Sequence, residues 1–342
     1  MAEEMTDEAL QERPQEATRE ANQEAAQEAT QEAAQEATEG FCLAGDGVSL
    51  AVRDYGGDGP TVLLLHGAGR TLADWAPVAP LLAGRHRVVA MDLRAHGRSG
   101  DGAVPWTFET AIADASAVLD ACRTAMADAV VVGHSMGGMV AALCLERGAR
   151  AAVNLDGHGM GRPEQYAGLD AGYVTQRLAE ARKFADEAGG RPFPASALDG
   201  VLGYQAAMAE QLGIAYELLE AGVRRSLGET PDGQLFLRPG RERAREVQEA
   251  MAGLDPFALY RRVTRPLLIA RALRPNPPVP GVPPWFDTLM TAYTEGLRRD
   301  LDELARTRQR VTVAGVDATH AMLLERPAEI AALVTRLVAA ST

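Results

Sequence analysis

Apolar residues follow two rhythms along this chain. Short unbroken runs at residues 61–65, 87–91, 129–132, 151–155, 266–270 and 310–313 consist mainly of Val, Leu, Ile and Ala. Runs of that length without polar alternation fit strands buried on both faces. Between them, residues 75–82, 108–126, 138–147, 287–307 and 327–340 space their apolar positions by three and four, as helices with one buried face do. Residues 47–55 differ: Val48, Leu50 and Val52 alternate with polar neighbours, which predicts an antiparallel hairpin leading into the sheet. Strand and helix taken in turn predict an α/β protein with a doubly wound, mostly parallel sheet. In such a sheet the working side chains gather at the carboxyl ends of the strands.

Two stretches break the rhythm. Residues 15–38 repeat in fours as QEAT, REAN, QEAA, QEAT, QEAA, QEAT. Ala and Glu favour a helix, but no large side chain is available to bury, and Ala with Thr is a poor seam for a coiled coil. Residues 1–40 are therefore read as a disordered or single-helix tail ending near Gly40, ahead of a folded domain at 41–342. The second interruption is the stretch of about 110 residues between Leu155 and Pro266, far longer than one connection and one helix need. Its helical segments at 164–187, 195–211, 215–227 and 241–251, with scattered aromatics, predict an inserted helical lid at about 157–262.

Charge changes meaning once it is located. The formal net charge is −13, but residues 1–40 hold twelve acidic residues and two arginines, so the remainder is close to neutral. Nothing in it suggests a nucleic-acid partner. No apolar run approaches the ~18 residues of a membrane span, and the acidic N-terminus does not resemble a secretory signal, so a cytoplasmic protein is expected. Cys42, Cys122 and Cys144 have no metal-ligand spacing and read as reduced core thiols. Arginine outnumbers the single lysine, Lys183, which suggests GC-rich coding and a bacterial source.

The chemistry is concentrated at residues 133–137, Gly-His-Ser-Met-Gly, directly after the run Val130-Val131-Val132. A strand ending in a tight turn into a helix lifts the Ser135 hydroxyl above the sheet, and the helix start places N–H groups beside it. Upstream, the run at 61–65 ends in His66-Gly67-Ala68-Gly69, and that at 87–91 in Asp92-Leu93-Arg94-Ala95-His96-Gly97-Arg98-Ser99. Near the C-terminus, His320 follows the strand at 310–313 and precedes the last helix. Taken in order, these motifs resemble the α/β-hydrolase fold family from about residue 45 onward, in its lid-bearing, serine esterase-like branch. The resemblance implies an eight-stranded sheet, Ser135 as nucleophile and His320 as base. It also implies backbone N–H groups of Ala68 and Met136 for the oxyanion, and a structural role for His66. The turn with Asp92, Arg94 and His96 is read as a brace, and His134, by strand alternation, as pointing away from the serine.

The acid departs from the commonest family pattern. The run at 266–270 continues into Arg271-Ala272-Leu273-Arg274-Pro275-Asn276-Pro277-Pro278, with no carboxylate before Asp287. Some family members carry the acid one strand earlier, and here Val153-Asn154-Leu155 ends in Asp156. Asp156 is taken as the acid. Capping of the lid entrance is its structural alternative, Asp317 is a third candidate better suited to an Asx-turn, and Asp287 is read as a helix cap. Trp285 is placed near the rim with possible substrate contact, and Trp75 in packing. The resulting expectation is a serine hydrolase acting on an ester, thioester or lactone, with a small-molecule acyl substrate and neither metal nor organic cofactor. Its alternative is a non-hydrolytic protein of the same fold: an acyltransferase, a cyclisation scaffold or a ligand-binding protein.

Overall fold

The computed structural model describes residues 37–277 and 281–341. Residues 1–36, and with them most of the stretch read as a disordered or single-helix tail, lie outside the described residues. Ten strands are formed: β1 (Thr38–Leu43), β2 (Ser49–Asp54), β3 (Thr61–Leu65), β4 (Arg87–Met91), β5 (Val130–His134), β6 (Ala151–Leu155), β7 (Leu227–Glu229), β8 (Leu235–Leu237), β9 (Leu267–Ala272) and β10 (Val311–Val316). Eight of them make one sheet in the order β1-β2-β4-β3-β5-β6-β9-β10. The pairs β1/β2 and β2/β4 are antiparallel and all the others parallel. This is the expected doubly wound, mostly parallel, eight-stranded sheet. The first strand takes in Thr38, Glu39 and Gly40, which the repeat pattern had assigned to the tail.

The unbroken apolar runs are explained by helices on both faces. Leu63, Leu65, Val89, Met91 and Val131 point into one core, and Val62, Leu64, Val88, Ala90, Val130 and Val132 into the other. Burying such a side chain contributes roughly 1.5–3 kcal/mol relative to leaving it exposed. The helices are α1 (Ala79–Ala83), α2 (Phe108–Ala121), α3 (Met136–Cys144), α4 (Ala171–Ala188), α5 (Leu198–Leu212), α6 (Tyr216–Ser226), α7 (Arg241–Gly253), α8 (Pro256–Arg262), α9 (Trp285–Thr307), α10 (Met322–Glu325) and α11 (Pro327–Ser341). Ile112, Val118 and Leu119 of α2, Val140 of α3 and Leu289, Leu297 and Leu301 of α9 fill the first core. Leu82 of α1 and Ile330, Val334 and Val338 of α11 fill the second, around the fully buried Trp75.

Helices α4 to α8 and the hairpin β7/β8 are inserted between β6 and β9. The first inserted helix begins at Ala171 rather than residue 164. Residues 163–165 form only a short turn, Gly168 adopts φ +73°, and the Asp170 carboxylate then caps the helix by accepting the Tyr173 N–H. A short apolar cluster of Ala209, Leu219 and Leu324, with Met208 and Ile214 against it, ties α5 and α6 to the C-terminal part of the chain. A buried ion pair adds to this. Arg225 of α6 donates from Nε to Asp92 Oδ2 at 2.8 Å, at the end of β4, and its Nη1 pairs with Glu39 of β1. Among the described residues no helix is long and apolar enough to cross a membrane.

Candidate active site

The turn after β5 brings strand, loop and helix to near contact. A Cβ on Gly133 would stand 1.9 Å from the Gly137 carbonyl oxygen, and one on Gly137 2.4 Å from the Leu65 carbonyl oxygen. Only glycine fits either place. Ser135 is held at φ +54°, an uncommon conformation for a residue with a side chain, and its N–H donates to the Leu155 carbonyl at 2.8 Å. Its hydroxyl makes no hydrogen bond to a described residue. Met136 begins α3, so its N–H, like the rest of that first turn, has no acceptor within the helix. Gly67 brings the loop after β3 against the turn: a Cβ there would come 3.1 Å from Ser135 Cβ.

Strand β6 ends in a second left-handed residue, Asp156, at φ +55°. Its N–H donates to Ala270, and its Oδ1 accepts the Ala272 N–H at 3.0 Å, so the carboxylate spans to the end of β9. Oδ2 is 2.7 Å from Nδ1 of His320. Burial alone would raise this carboxyl; the hydrogen bond and charge of His320, with His158 and the Ala272 N–H, outweigh it and hold Asp156 well below the usual carboxylate range. Next to it, the buried Asn154 donates to Gly157 O at 2.8 Å and Tyr260 Oη at 2.6 Å, and accepts the Gly157 N–H at 2.8 Å. These bonds fix the turn that carries Asp156.

His320 is held from three sides. Besides Asp156, its own N–H donates to Asn276 Oδ1 at 3.0 Å, and its carbonyl accepts Nε2–H of His134 at 2.7 Å. The His134 and His320 rings lie 4.6 Å apart. His134 therefore faces the site, contrary to the alternation argument, because the strand ends at this residue and the chain turns. Asn276 was not singled out by the sequence, where it was one polar residue in a Pro-rich loop. Burial lowers His134 to about 3, so it stays neutral.

The braces read from sequence are in place. His66 Nε2 accepts the Leu93 N–H at 3.0 Å, which leaves Nδ1–H to donate to Gly67 O at 2.8 Å and fixes the tautomer. Asp92 accepts from Leu72 N–H, Arg98 N–H and Arg225. Arg94 and Asp114, both buried, form a two-pronged pair at 2.6 and 2.5 Å. His96 Nδ1 lies 2.9 Å from Arg94 O. Asp317 pairs with Arg274 and Arg326 and makes no hydrogen bond or ion pair with His320 among the described residues. Asp287 lies inside the first turn of α9, which starts at Trp285, rather than at its cap position, which Pro284 holds. Arg177 lies over the Trp285 ring at 5.0 Å and Phe286 meets that ring edge-on, outside the cavity described next.

Ser135 and His320 open into one cavity of about 350 Å³. Gly67, Ala68, Arg70, Asp74 and His134 line its inner side, and Tyr204, Met208, Leu212 and Leu219 of the insertion complete it with Leu323 and Leu324. Ala68, Ser135 and His320 thus line one space, which Asp156 reaches through its hydrogen bond to His320; the Met136 side chain is buried. Among the described residues no cluster of three or more His, Cys, Asp or Glu is placed to hold a metal ion.

Comparison with known proteins adds three findings. The model of the family described as Alpha/beta hydrolase family matches residues 62–333. The chain is similar to the dihydrolipoyllysine-residue acetyltransferase component of the acetoin cleaving system of Cupriavidus necator, 38% identical over 97 residues, which is 28% of this chain and 25% of that protein. It is similar to protein phosphatase methylesterase 1 of Rattus norvegicus, 37% identical over 90 residues, 25% of this chain and 23% of that one. The matched stretches span about a quarter of those relatives. Among solved structures, E-2-(acetamidomethylene)succinate hydrolase superposes with TM-score 0.62 over 89% of this chain and 99% of its own, at 20% identity. The enol-lactonase of Burkholderia xenovorans LB400 does so with TM-score 0.58 over 88% and 100%, at 19% identity. Both share the fold.

Proposed function

We propose, for a chain that belongs to the alpha/beta hydrolase family, that it is a serine hydrolase cleaving an ester, thioester or lactone through an acyl-enzyme. The observation that carries this reading is the 2.7 Å contact of Asp156 with His320 Nδ1 beside a cavity that Ser135 and His320 share. With Nδ1–H committed to the carboxylate, Nε2 keeps its lone pair and accepts the Ser135 proton as the hydroxyl attacks the acyl carbon. The negative charge that develops on the carbonyl oxygen is stabilised by the N–H groups of Ala68 and Met136. His320 returns its proton to the leaving group, and a water activated by the same imidazole releases the acid. Asp156 stays ionised throughout, which suits a group that offsets the imidazolium.

Transfer to an acceptor other than water uses the same residues. The likeness to an acetyltransferase component is the observation that keeps this second reading; adding alcohol or thiol acceptors to the hydrolysis assay separates the two. The primary test is intact mass after incubation with a fluorophosphonate. One adduct on the native chain, absent from Ser135→Ala and His320→Ala, is the expected result. No adduct on a folded native chain would defeat the serine-hydrolase reading.

A further inference from the structure

Arg70 stands two residues beyond Ala68 and lines the cavity together with Ser135. Its guanidinium is only partly spent. Nε donates to Asp74 Oδ2 at 2.7 Å and Nη2 to Asp74 Oδ1 at 2.6 Å, a two-pronged contact that locks the planar group. The Asp74 side chain is buried at 5% exposure and that of Arg70 keeps 31%, so the fixed partner lies inside and the guanidinium faces the open space. Nη1 and its two N–H groups have no partner among the described residues. Gly222 of α6 closes over the pair, where a Cβ would lie 3.7 Å from Asp74 Oδ1 and 3.8 Å from Arg70 Nη2.

We propose that Arg70 is a specificity-determining residue, and that the substrate carries, away from its scissile bond, a neutral hydrogen-bond acceptor such as an amide or ketone carbonyl that Arg70 Nη1 binds. This rests on the serine-hydrolase reading above. Two physical points select a neutral acceptor. A substrate filling a space walled by Met208, Leu212, Leu219, Leu323 and Leu324 excludes water, so an alkyl end would leave the Nη1 donors unpaired at a cost. A carboxylate end gains the same hydrogen bonds but meets the Asp74 carboxylate on the other edge of the guanidinium. The pair carries no surplus positive charge, and His134, buried and neutral, supplies none. The Asp74 charge thus works as a filter as well as a clamp.

The test uses matched ester panels, with chain length varied, ending in a primary amide, a carboxylate or an alkyl group on either the acyl or the alcohol side. In one panel the native enzyme should prefer the amide end over the alkyl end by roughly tenfold to a hundredfold in kcat/KM. Arg70→Met should abolish that preference. Arg70→Lys keeps the ion pair with Asp74, and hence the fold, but lacks the free fork; it should lose the preference as well. Asp74→Asn, which leaves Arg70 with unopposed charge, should move the preference to the carboxylate end. A native preference for alkyl or carboxylate ends, or an equal loss on all three ends in the Arg70 variants, would overturn the assignment. Failure of this idea is distinguishable from failure of the hydrolase reading, because the latter shows as a native chain that takes no fluorophosphonate adduct.

Discussion

Replacing Asp156 by asparagine tests the chemistry at the point where this chain departs from the commonest pattern. The substitution keeps size and φ tolerance, since asparagine also occupies left-handed backbone readily, as the +55° at this position requires. The amide oxygen can still accept the Ala272 N–H that Asp156 Oδ1 accepts now at 3.0 Å. The amide NH2 then faces His320 Nδ1, where the carboxylate sits at 2.7 Å, and two donors cannot meet there. The imidazole must present Nδ1 as acceptor and carry its proton on Nε2, which can no longer take the proton of Ser135. Loss of the base and of the charge that offsets the imidazolium should lower turnover about 10⁴-fold, or about 5.4 kcal/mol of transition-state stabilisation. Folding should lose one charge-assisted hydrogen bond, about 1.5–3 kcal/mol. The assay is turnover of an activated ester alongside thermal unfolding by circular dichroism. Turnover within tenfold of native, with a cooperative unfolding transition retained, would refute Asp156 as the acid.

Other consequences follow from buried charge and packing. Burial lowers His66 and His158 to about 4 and His96 and His134 to about 3, so the unfolded chain takes up these protons from near pH 6.5 downward while the folded chain does not. Stability should be full above that pH and fall by up to about 5 kcal/mol per unit near pH 5; urea unfolding at stepped pH measures it, and a flat profile would contradict the burial of these rings. Arg225→Met leaves the Asp92 carboxylate buried beside α6 without its cation. A loss of about 3 kcal/mol is expected, with faster proteolysis inside the insertion as the readout. Trp285→Ala should leave turnover within about twofold of native, because the ring packs on Arg177 away from the cavity; a large drop in kcat/KM would return Trp285 to the substrate.

The parts of the site that were legible in the sequence are those set by backbone geometry. Gly133 and Gly137 announce the turn because nothing larger fits, and unbroken apolar runs mark strands covered on both sides. Asp156 could be chosen because it ends a strand whose neighbour lacks a carboxylate. Contacts between distant parts of the chain were not legible. Asn276 pins the His320 backbone across 44 residues, and Arg225 reaches Asp92 across 133. Neither pair has a local signature. The hairpin β7/β8 was hidden by strands of three residues, too short to show alternation. The start of β1 was masked by the repeat, whose last residue, Thr38, already pairs with Asp54.

The position of Asp156, the proposed acid, at the end of β6 also bears on the order in which the site is assembled. Ser135 and Asp156 belong to a single strand-helix-strand unit, β5, α3 and β6, whose partners are close in sequence and meet at small loop-closure cost. His320 lies 164 residues beyond Asp156, past the whole insertion. In kinetic terms, Ser135 and Asp156 are in place as soon as that unit closes, whereas His320 arrives only when β10 docks on β9. Ellipticity should therefore return ahead of fluorophosphonate reactivity during refolding.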